Sequence, residues 1–516
     1  MSIETAYSVE VYRDDKDQIG FYVVMSDGTM KDYRPGEWQS LGDSEKKELE
    51  RLANKSQLWS VPRRPTIEKY SQKWDSVIRP GIDEGKLPEV YGEYVEQVMT
   101  DIARRLEKYL RKFCFLENDN EYAVLITFAI QSYNKDQFEK SPVLLFDGVT
   151  GSGKSTALTA LKYVCYRGLY TSDYSTPSLV DEVVENNVTL LLDESIKNLS
   201  SERGADIRTF LISGFDRVGA VRNRKDMNTH ESMVKNHYTC VAITTMGGEI
   251  PIDLRNRSMM ITLSIPDEEL ELEDIGYMDD AELDPDIHPD SIRTDLYALK
   301  ILTDSEKMSG IKKGGIIFES FRHNTRRRIK ESEGGRYLYG YVHDIKYTPK
   351  ITGRDKAIAY AHYTIGQTTR QDEEIIHYIL DNMDSIWTDK STCIESVMMK
   401  AFADLIIERY EVEHPRLQGV ESLIEPVELK NIVKRMSMPE IHKKYRELRT
   451  LEGWDAKDME ASKTLTLTFK KLRIPYEGRG GRTNYINPSD PDFILNFRRA
   501  AKQFLDREVA SYFKKI

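Results

Sequence analysis

The stretch that decides the fold is Val143-Leu-Leu-Phe-Asp-Gly148-Val-Thr-Gly-Ser-Gly-Lys-Ser155-Thr-Ala-Leu-Thr-Ala-Leu-Lys-Tyr163. A short apolar run leads into a glycine-rich loop, and the loop opens a segment patterned as a helix. Strand, loop and helix in that order are the context in which G-x-x-x-x-G-K-S holds phosphate. Glycines let successive backbone N–H groups close around phosphate oxygens, and a helix N-terminus adds a favourable potential for an anion. Gly148, Val149, Thr150, Gly151, Ser152, Gly153, Lys154, Ser155 and Thr156 are therefore expected to bind a nucleotide. Lys154 would reach the β- and γ-phosphates, and the Ser155 hydroxyl would ligate Mg²⁺, so ATP and Mg²⁺ are the expected ligands.

Downstream, Val188-Thr-Leu-Leu-Leu192-Asp193-Glu194 is a buried strand ending in two acids. Asp193 at such an edge would hold Mg²⁺ through water, and Glu194 would orient the attacking water as general base. Alone, the same residues would read as a solvated turn. Tyr238-Thr-Cys-Val-Ala-Ile243-Thr244-Thr245 is a further strand ending in hydroxyls. Both threonines are candidates to position the water, Thr245 ahead of Thr244, with strand-end capping as the alternative. Leu254-Arg255-Asn-Arg257-Ser258 precedes the apolar run Met259–Leu263. A neighbouring subunit's arginine can stabilise charge on the γ-phosphate. Arg257 is the first choice for this and Arg255 the second; a surface ion pair is the competing explanation.

Taken in order, Gly148–Ser155, Asp193–Glu194, Thr244–Thr245 and Leu254-Arg-Asn-Arg257-Ser resemble the AAA+ superfamily of P-loop ATPases. Gly247-Gly-Glu-Ile-Pro251 narrows the resemblance to helicase-like ATPases of plasmids, phages and archaeal mobile elements, which are similar to the minichromosome-maintenance helicases. The resemblance implies a ring, a hexamer, with ATP at subunit interfaces. It also implies a lid-domain arginine on the γ-phosphate, a place that Arg354 fits within Ile351-Thr-Gly-Arg354-Asp-Lys-Ala-Ile358.

The chain has 516 residues, 40% of them hydrophobic and 31% charged, which suits a globular class. The expected architecture is α/β: a P-loop NTPase (AAA+) core with a parallel sheet, a helical lid, a C-terminal winged-helix-like domain and a small N-terminal α+β region. Its boundaries read as a β-containing module over 1–62, a helical connector over 63–140 and the ATPase core over 141–265. An acidic linker over 266–290, the helical lid region over 291–390, the winged-helix-like domain over 391–488 and a C-terminal helix over 489–516 follow. No apolar run reaches the roughly 18 residues of a membrane span, and residues 1–7 lack the pattern of a secretory signal. The four cysteines form no C-x-x-C pair. A cytoplasmic protein with reduced thiols and no membrane partner is expected.

The net charge is −11, and much of it comes from twelve acids between Asp267 and Asp290, read as a linker or solvated flap. DNA, single-stranded or forked, is nonetheless the expected partner, because local basic patches decide such binding. Arg224 and Lys225 lie at the tip of a hairpin pattern between the acids and the strand Tyr238–Ile243. In similar helicases a hairpin at this place lines the ring's pore. A lysine or arginine there would hold backbone phosphates. Near the C-terminus, a helical pattern carrying Lys463 and Lys470 precedes a hairpin pattern carrying Arg479 and Arg482. That order resembles a winged helix, in which these four residues would contact DNA. The sum of these readings is an ATP-dependent, DNA-translocating motor, a replicative helicase of a mobile element or virus. The alternative is a non-translocating AAA+ ATPase: an initiator, loader or defence-system regulator.

Overall fold

The structure, a computed structural model, describes residues 6–65, 67–73, 87–172, 175–193, 202–225, 232–245, 250–265, 272, 275, 283–308, 353–379, 394–413, 424–434, 436–451, 474–478, 484–504 and 513. It divides into two units, residues 1–380 and 381–516.

The first unit begins with an antiparallel sheet of three strands, β1 (Ala6–Arg13), β2 (Ile19–Met25) and β3 (Met30–Tyr33). The Asp27-Gly28 turn joins β2 to β3; Gly28 sits at φ 84° and its N–H donates to Met25 O (2.9 Å). Helices α1 (Asp43–Lys55), α2 (Ile67–Lys73), α3 (Leu87–Phe113) and α4 (Asp119–Asn134) follow. Helix α4 is buried on every side from Tyr122 to Asn134, as expected of an apolar segment inside other helices.

The centre of the unit is a five-stranded, all-parallel sheet. Strand β4 (Val143–Gly148) feeds the glycine loop and helix α5 (Lys154–Val164). Strand β5 (Gly168–Thr171), helix α6 (Thr176–Asn186) and strand β6 (Thr189–Leu192) come next. Helix α7 (Glu202–Gly214) and an antiparallel hairpin, β7 (Val221–Lys225) with β8 (Ser232–Asn236), lead to β9 (Val241–Thr244). Helix α8 (Ile252–Arg255) then precedes β10 (Ser258–Leu263). The spatial order is β10-β4-β9-β6-β5. Strands with Val, Leu and Ile on both faces suit a parallel sheet covered by helices on each side, and Leu144, Leu145, Leu190, Leu191, Ala242 and Ile243 are all buried. Each sequence-predicted strand of this sheet is present, the one expected over Tyr238–Ile243 starting later, at Val241, and running to Thr244. Strand β5 is additional; only four residues long, it carries no alternating pattern to announce it.

Residues 1–62 do not stand apart from this sheet. Val11, Phe21, Val23 and Trp38 share one apolar core with Val143, Leu145, Leu190 and Ile243. A buried charge cluster pins the same junction: the Arg167 guanidinium donates to Glu10 Oε2 (3.1 Å) and to Asn186 O (2.8 Å), and Lys300 Nζ lies 3.1 Å from Glu10 Oε1. Lys300 belongs to helix α9 (Pro289–Met308), and helix α10 (Gly353–Thr369) packs on α4 through a 2.8 Å hydrogen bond between His362 Nδ1 and Thr127 Oγ1.

The acidic stretch is not wholly solvated. Ile275, Leu283 and Ile287 are buried; these apolar residues interrupt the acids and give the segment an inward side. Cys114, Cys165 and Cys240 are buried free thiols.

The second unit holds helices α11 (Ile394–Glu413), α12 (Pro426–Val433) and α13 (Met438–Leu451), a short antiparallel pair, β11 (Tyr476–Gly478) with β12 (Asn484–Ile486), and α14 (Phe493–Phe504). It has its own core, in which Phe402, Ile432, Ile441, Phe493 and Phe497 are fully or almost fully buried. The pair β11–β12 spans the predicted C-terminal hairpin. Lys463, Lys470, Arg479 and Arg482 lie outside the described residues. No helix among the described residues is long and apolar enough to cross a membrane.

Candidate nucleotide site

The loop between β4 and α5 sits at the C-terminal edge of the sheet, where open parallel sheets collect their ligands. Gly148 has φ 146°, and a Cβ there would lie 2.2 Å from Leu263 O and 2.8 Å from Ser152 Oγ, so only glycine fits between loop and strand β10. Gly153 caps α5 from the left-handed region at φ 88°, and a Cβ there would meet nothing within 4 Å. Its conformation, not its packing, demands glycine. No side chain caps α5, so the first-turn N–H groups remain available to an anion.

Lys154 is buried, and its ammonium donates to Gly148 O (2.7 Å) and Val149 O (2.8 Å). These contacts hold the charge over the loop. Ser155 and Val149 are exposed. The Ser152 hydroxyl is buried without a hydrogen-bond partner among the described residues, a costly state for a polar group in a protein interior.

Asp193 follows β6 and is buried. Its N–H continues the sheet ladder to Thr171 O (3.0 Å). Its carboxylate is gripped from both neighbouring strands: Thr244 Oγ1, on β9, donates to Oδ1 (2.8 Å), and the Tyr170 hydroxyl, on β5, donates to Oδ2. Each carboxylate oxygen keeps a further lone pair. Strand β9 lies between β4 and β6, so the phosphate loop and Asp193 are two strand spacings apart, about 9.6 Å. Ser155 offers a hydroxyl and Asp193 a carboxylate oxygen, the hard donors that Mg²⁺ takes. The residues present thus fit a hydrated magnesium between Ser155 and Asp193.

The two threonines separate cleanly. Thr244 holds Asp193, whereas Thr245 Oγ1 donates to Asp147 Oδ1 (2.8 Å), at the end of the loop strand. The two arginines separate as well. Burial lowers the Arg255 pKa, and the charge of Asp147 opposes that shift. Arg257 donates to Asp253 O (2.6 Å). The register pairs Ser258 with Val143 and Leu263 with Gly148, so Arg257 lies at the opposite end of the sheet from its own phosphate loop. Five strand rises at about 3.3 Å put more than 16 Å between those ends.

No family model matches this chain, and no curated relative does.

Glu194 lies outside the described residues. Arg354 is the second residue of α10, and Arg224 and Lys225 end β7, where the register pairs them with Met233 and Ser232; nothing further is described of these three side chains. The hairpin base is tied down: Lys235 pairs with Asp181 of α6 (2.9 Å), and the Arg222 guanidinium lies over the Phe210 ring of α7.

Sequence reasoning missed Tyr170. Its hydroxyl meets Asp193 only because β5 pairs with β6, Tyr170 beside Leu191, and nothing in Gly168-Leu-Tyr-Thr advertises that pairing.

Proposed function

We propose that this chain binds ATP with Mg²⁺ and hydrolyses it, in a ring of copies that moves along DNA. The observation that carries the ATPase reading is the pairing of a phosphate loop held open by Gly148 and Gly153 with a carboxylate fixed by Thr244 and Tyr170 at the same sheet edge.

The first-turn N–H groups of α5 and the Lys154 ammonium bind the β- and γ-phosphates. Mg²⁺, when bound, supplies neutralisation of the charge on those phosphates. Ser155 and Asp193 hold it, and Tyr170 and Thr244 keep the Asp193 carboxylate from rotating away. Glu194 orients a water for attack on the γ-phosphorus and takes its proton; the bond to the bridging oxygen breaks, and ADP and phosphate leave. Thr245, bonded to Asp147, lies one residue beyond the magnesium-side threonine, within the loop's neighbourhood.

Arg257 supports assembly into a ring. Being far from its own loop, it has phosphate to serve only in another copy, as the resemblance to AAA+ ATPases implies. The motor reading rests on that resemblance and on the β7–β8 hairpin, whose base is tied to α6 through Lys235 and Asp181 and whose first strand ends on Arg224 and Lys225, two cations that would meet backbone phosphates.

The test is ATP turnover by the purified full chain with and without single-stranded DNA, with Glu194→Gln as the inactive control. The motor reading expects turnover to rise with DNA and a forked duplex to be unwound. Turnover indifferent to DNA, with no unwinding, would replace it by the loader or regulator reading. No turnover and no nucleotide binding would defeat both.

A further inference from the structure

Strand β5 is an edge of the parallel sheet: four residues long, it has β6 as its one neighbour there among the described residues. Its register decides where Tyr170 points, because a slip of one residue turns every side chain of a strand to the other face. The ladder holds both its ends, Thr189 N–H donating to Arg167 O (3.2 Å) and Asp193 N–H to Thr171 O (3.0 Å). Arg167, which leads into the strand, has φ 44°, a left-handed conformation that glycine takes freely and other residues adopt at a cost. Such a residue persists where its surroundings over-determine it, and the Arg167 side chain shows how. Buried, its guanidinium donates to Val9 O and Glu10 Oε2 (3.1 Å) on β1 and to Asn186 O (2.8 Å) at the end of α6. The preceding residue reaches the same carboxylate: the Tyr166 hydroxyl donates to Glu10 Oε1 (2.9 Å). Successive side chains of an extended chain point to opposite faces, so the left-handed backbone at Arg167 is what brings both to Glu10. Lys300 lies 3.1 Å from Glu10 Oε1 and pairs with Asp304, which completes a buried set of two cations and two anions.

We infer that Glu10 and Arg167 are positioning residues for the magnesium site: the N-terminal strand β1 holds β5 in register, and that register holds the Tyr170 hydroxyl against Asp193. The inference rests on the proposed nucleotide site and gives residues 1–62 a part in it. Buried charge sets of this kind add little to stability over apolar residues of the same volume; fixing register is their best-attested use. Gly168 makes the setting tight, since a Cβ there would lie 2.8 Å from Lys162 O of helix α5. The start of β5 is thus held to β1 through Arg167 and packed on the phosphate-loop helix through Gly168. Tyr170, three residues beyond Arg167, then sits beside Leu191 with its hydroxyl on Asp193. With Glu10 uncharged or the guanidinium replaced, the start of the strand is free to shift and the hydroxyl no longer stays on the carboxylate.

The experiment titrates Mn²⁺ into the full chain bound to a hydrolysis-resistant ATP analogue, beside the Mg²⁺ dependence of ATP turnover. Glu10→Gln keeps the shape of the side chain and removes its charge. Arg167→Lys keeps the charge, but one ammonium cannot serve Val9 O, Glu10 and Asn186 O together. It leaves the buried set neutral, so it folds even if Glu10→Gln does not. Each substitution is also made together with Tyr170→Phe. The expected result is that both metal midpoints rise about threefold to tenfold in either single variant, the loss of one hydrogen bond to the carboxylate, with turnover at saturating metal little changed. In the Tyr170→Phe chain neither substitution should move the midpoints further, because both act through the hydroxyl already removed. Unchanged midpoints in the folded variants would overturn the proposal. So would a shift of the same size with and without the Tyr170 hydroxyl, which would mark a general loosening of the fold. If the unaltered chain binds no nucleotide with metal, the nucleotide site itself is wrong, a failure distinct from one confined to this junction.

Discussion

Removing one hydroxyl tests how Asp193 is held. In Tyr170→Phe the ring stays, and only the donor to Asp193 Oδ2 goes. A hydrogen bond to a charged group contributes about 1.5–3 kcal/mol. Tyr170 is half-buried, so water replaces part of that donor, and Thr244 still fixes Oδ1 at 2.8 Å. The loss felt at the metal therefore falls below that range, at about 0.7–1.4 kcal/mol, which is roughly threefold to tenfold in affinity. The assay is a Mg²⁺ titration of ATP turnover, run beside Mn²⁺ binding to the nucleotide-bound chain followed by its paramagnetic signal. Both midpoints should move to higher metal by that factor, with turnover at saturating metal little changed. Thr244→Val is the stronger companion: Thr244 is fully buried, so its loss leaves a buried carboxylate oxygen without that donor, a cost of about 1–3 kcal/mol. A Tyr170→Phe chain whose metal midpoints match the unaltered chain in both readouts would refute the idea that the tyrosine positions the carboxylate.

Other outcomes follow from the same geometry. Gly148→Ala puts a methyl 2.2 Å from a backbone oxygen at φ 146°; a strained backbone of this kind costs about 1–3 kcal/mol before the clash is counted. Its melting temperature should drop and nucleotide binding should vanish, and an unchanged pair of values would contradict the loop geometry. Mixing Lys154→Ala with Arg257→Ala, each inactive alone, should restore turnover if Arg257 serves a neighbouring copy; a mixture as inactive as its components would remove that role. Burial raises the Glu121 carboxyl to about 7, against an ordinary value near 4.5, so the folded chain holds a proton that the unfolded chain has released between those values. Stability then falls as pH rises from about 4.5 to 7, by at most about 3 kcal/mol. Glu121→Gln should melt higher than the unaltered chain at pH 8 and equally at pH 4.5, as calorimetry at the two pH values would reveal; equal melting at pH 8 would count against a strained carboxyl there.

The parts legible in sequence were those whose chemistry is local. Gly148 to Ser155 carry their conformation in eight consecutive residues, and Val188–Leu192 ends on Asp193 in plain view. Whatever depended on which strand lies beside which was hidden. Thr244 and Thr245 are adjacent in the chain, and only the pairing of β9 with both β4 and β6 sends one to Asp193 and the other to Asp147. Tyr170 became visible with the pairing of β5 and β6. Residues 1–62 read as a separate module because strand alternation shows that a face is buried, not against what; here the partner lies some 130 residues further along the chain, at Val143 and Leu145. The burial of Ile275, Leu283 and Ile287 was hidden by the acids around them in sequence.

The central claim is that the amides and ammonium of the 148–155 loop bind a triphosphate. Equilibrium binding of ATP with Mg²⁺ to the full chain and to its Lys154→Ala variant measures it. Charge-assisted bonds to two phosphates at about 1.5 kcal/mol each predict a loss of roughly a hundredfold in affinity, with the fold retained by circular dichroism. Equal affinity in the two chains would contradict the account.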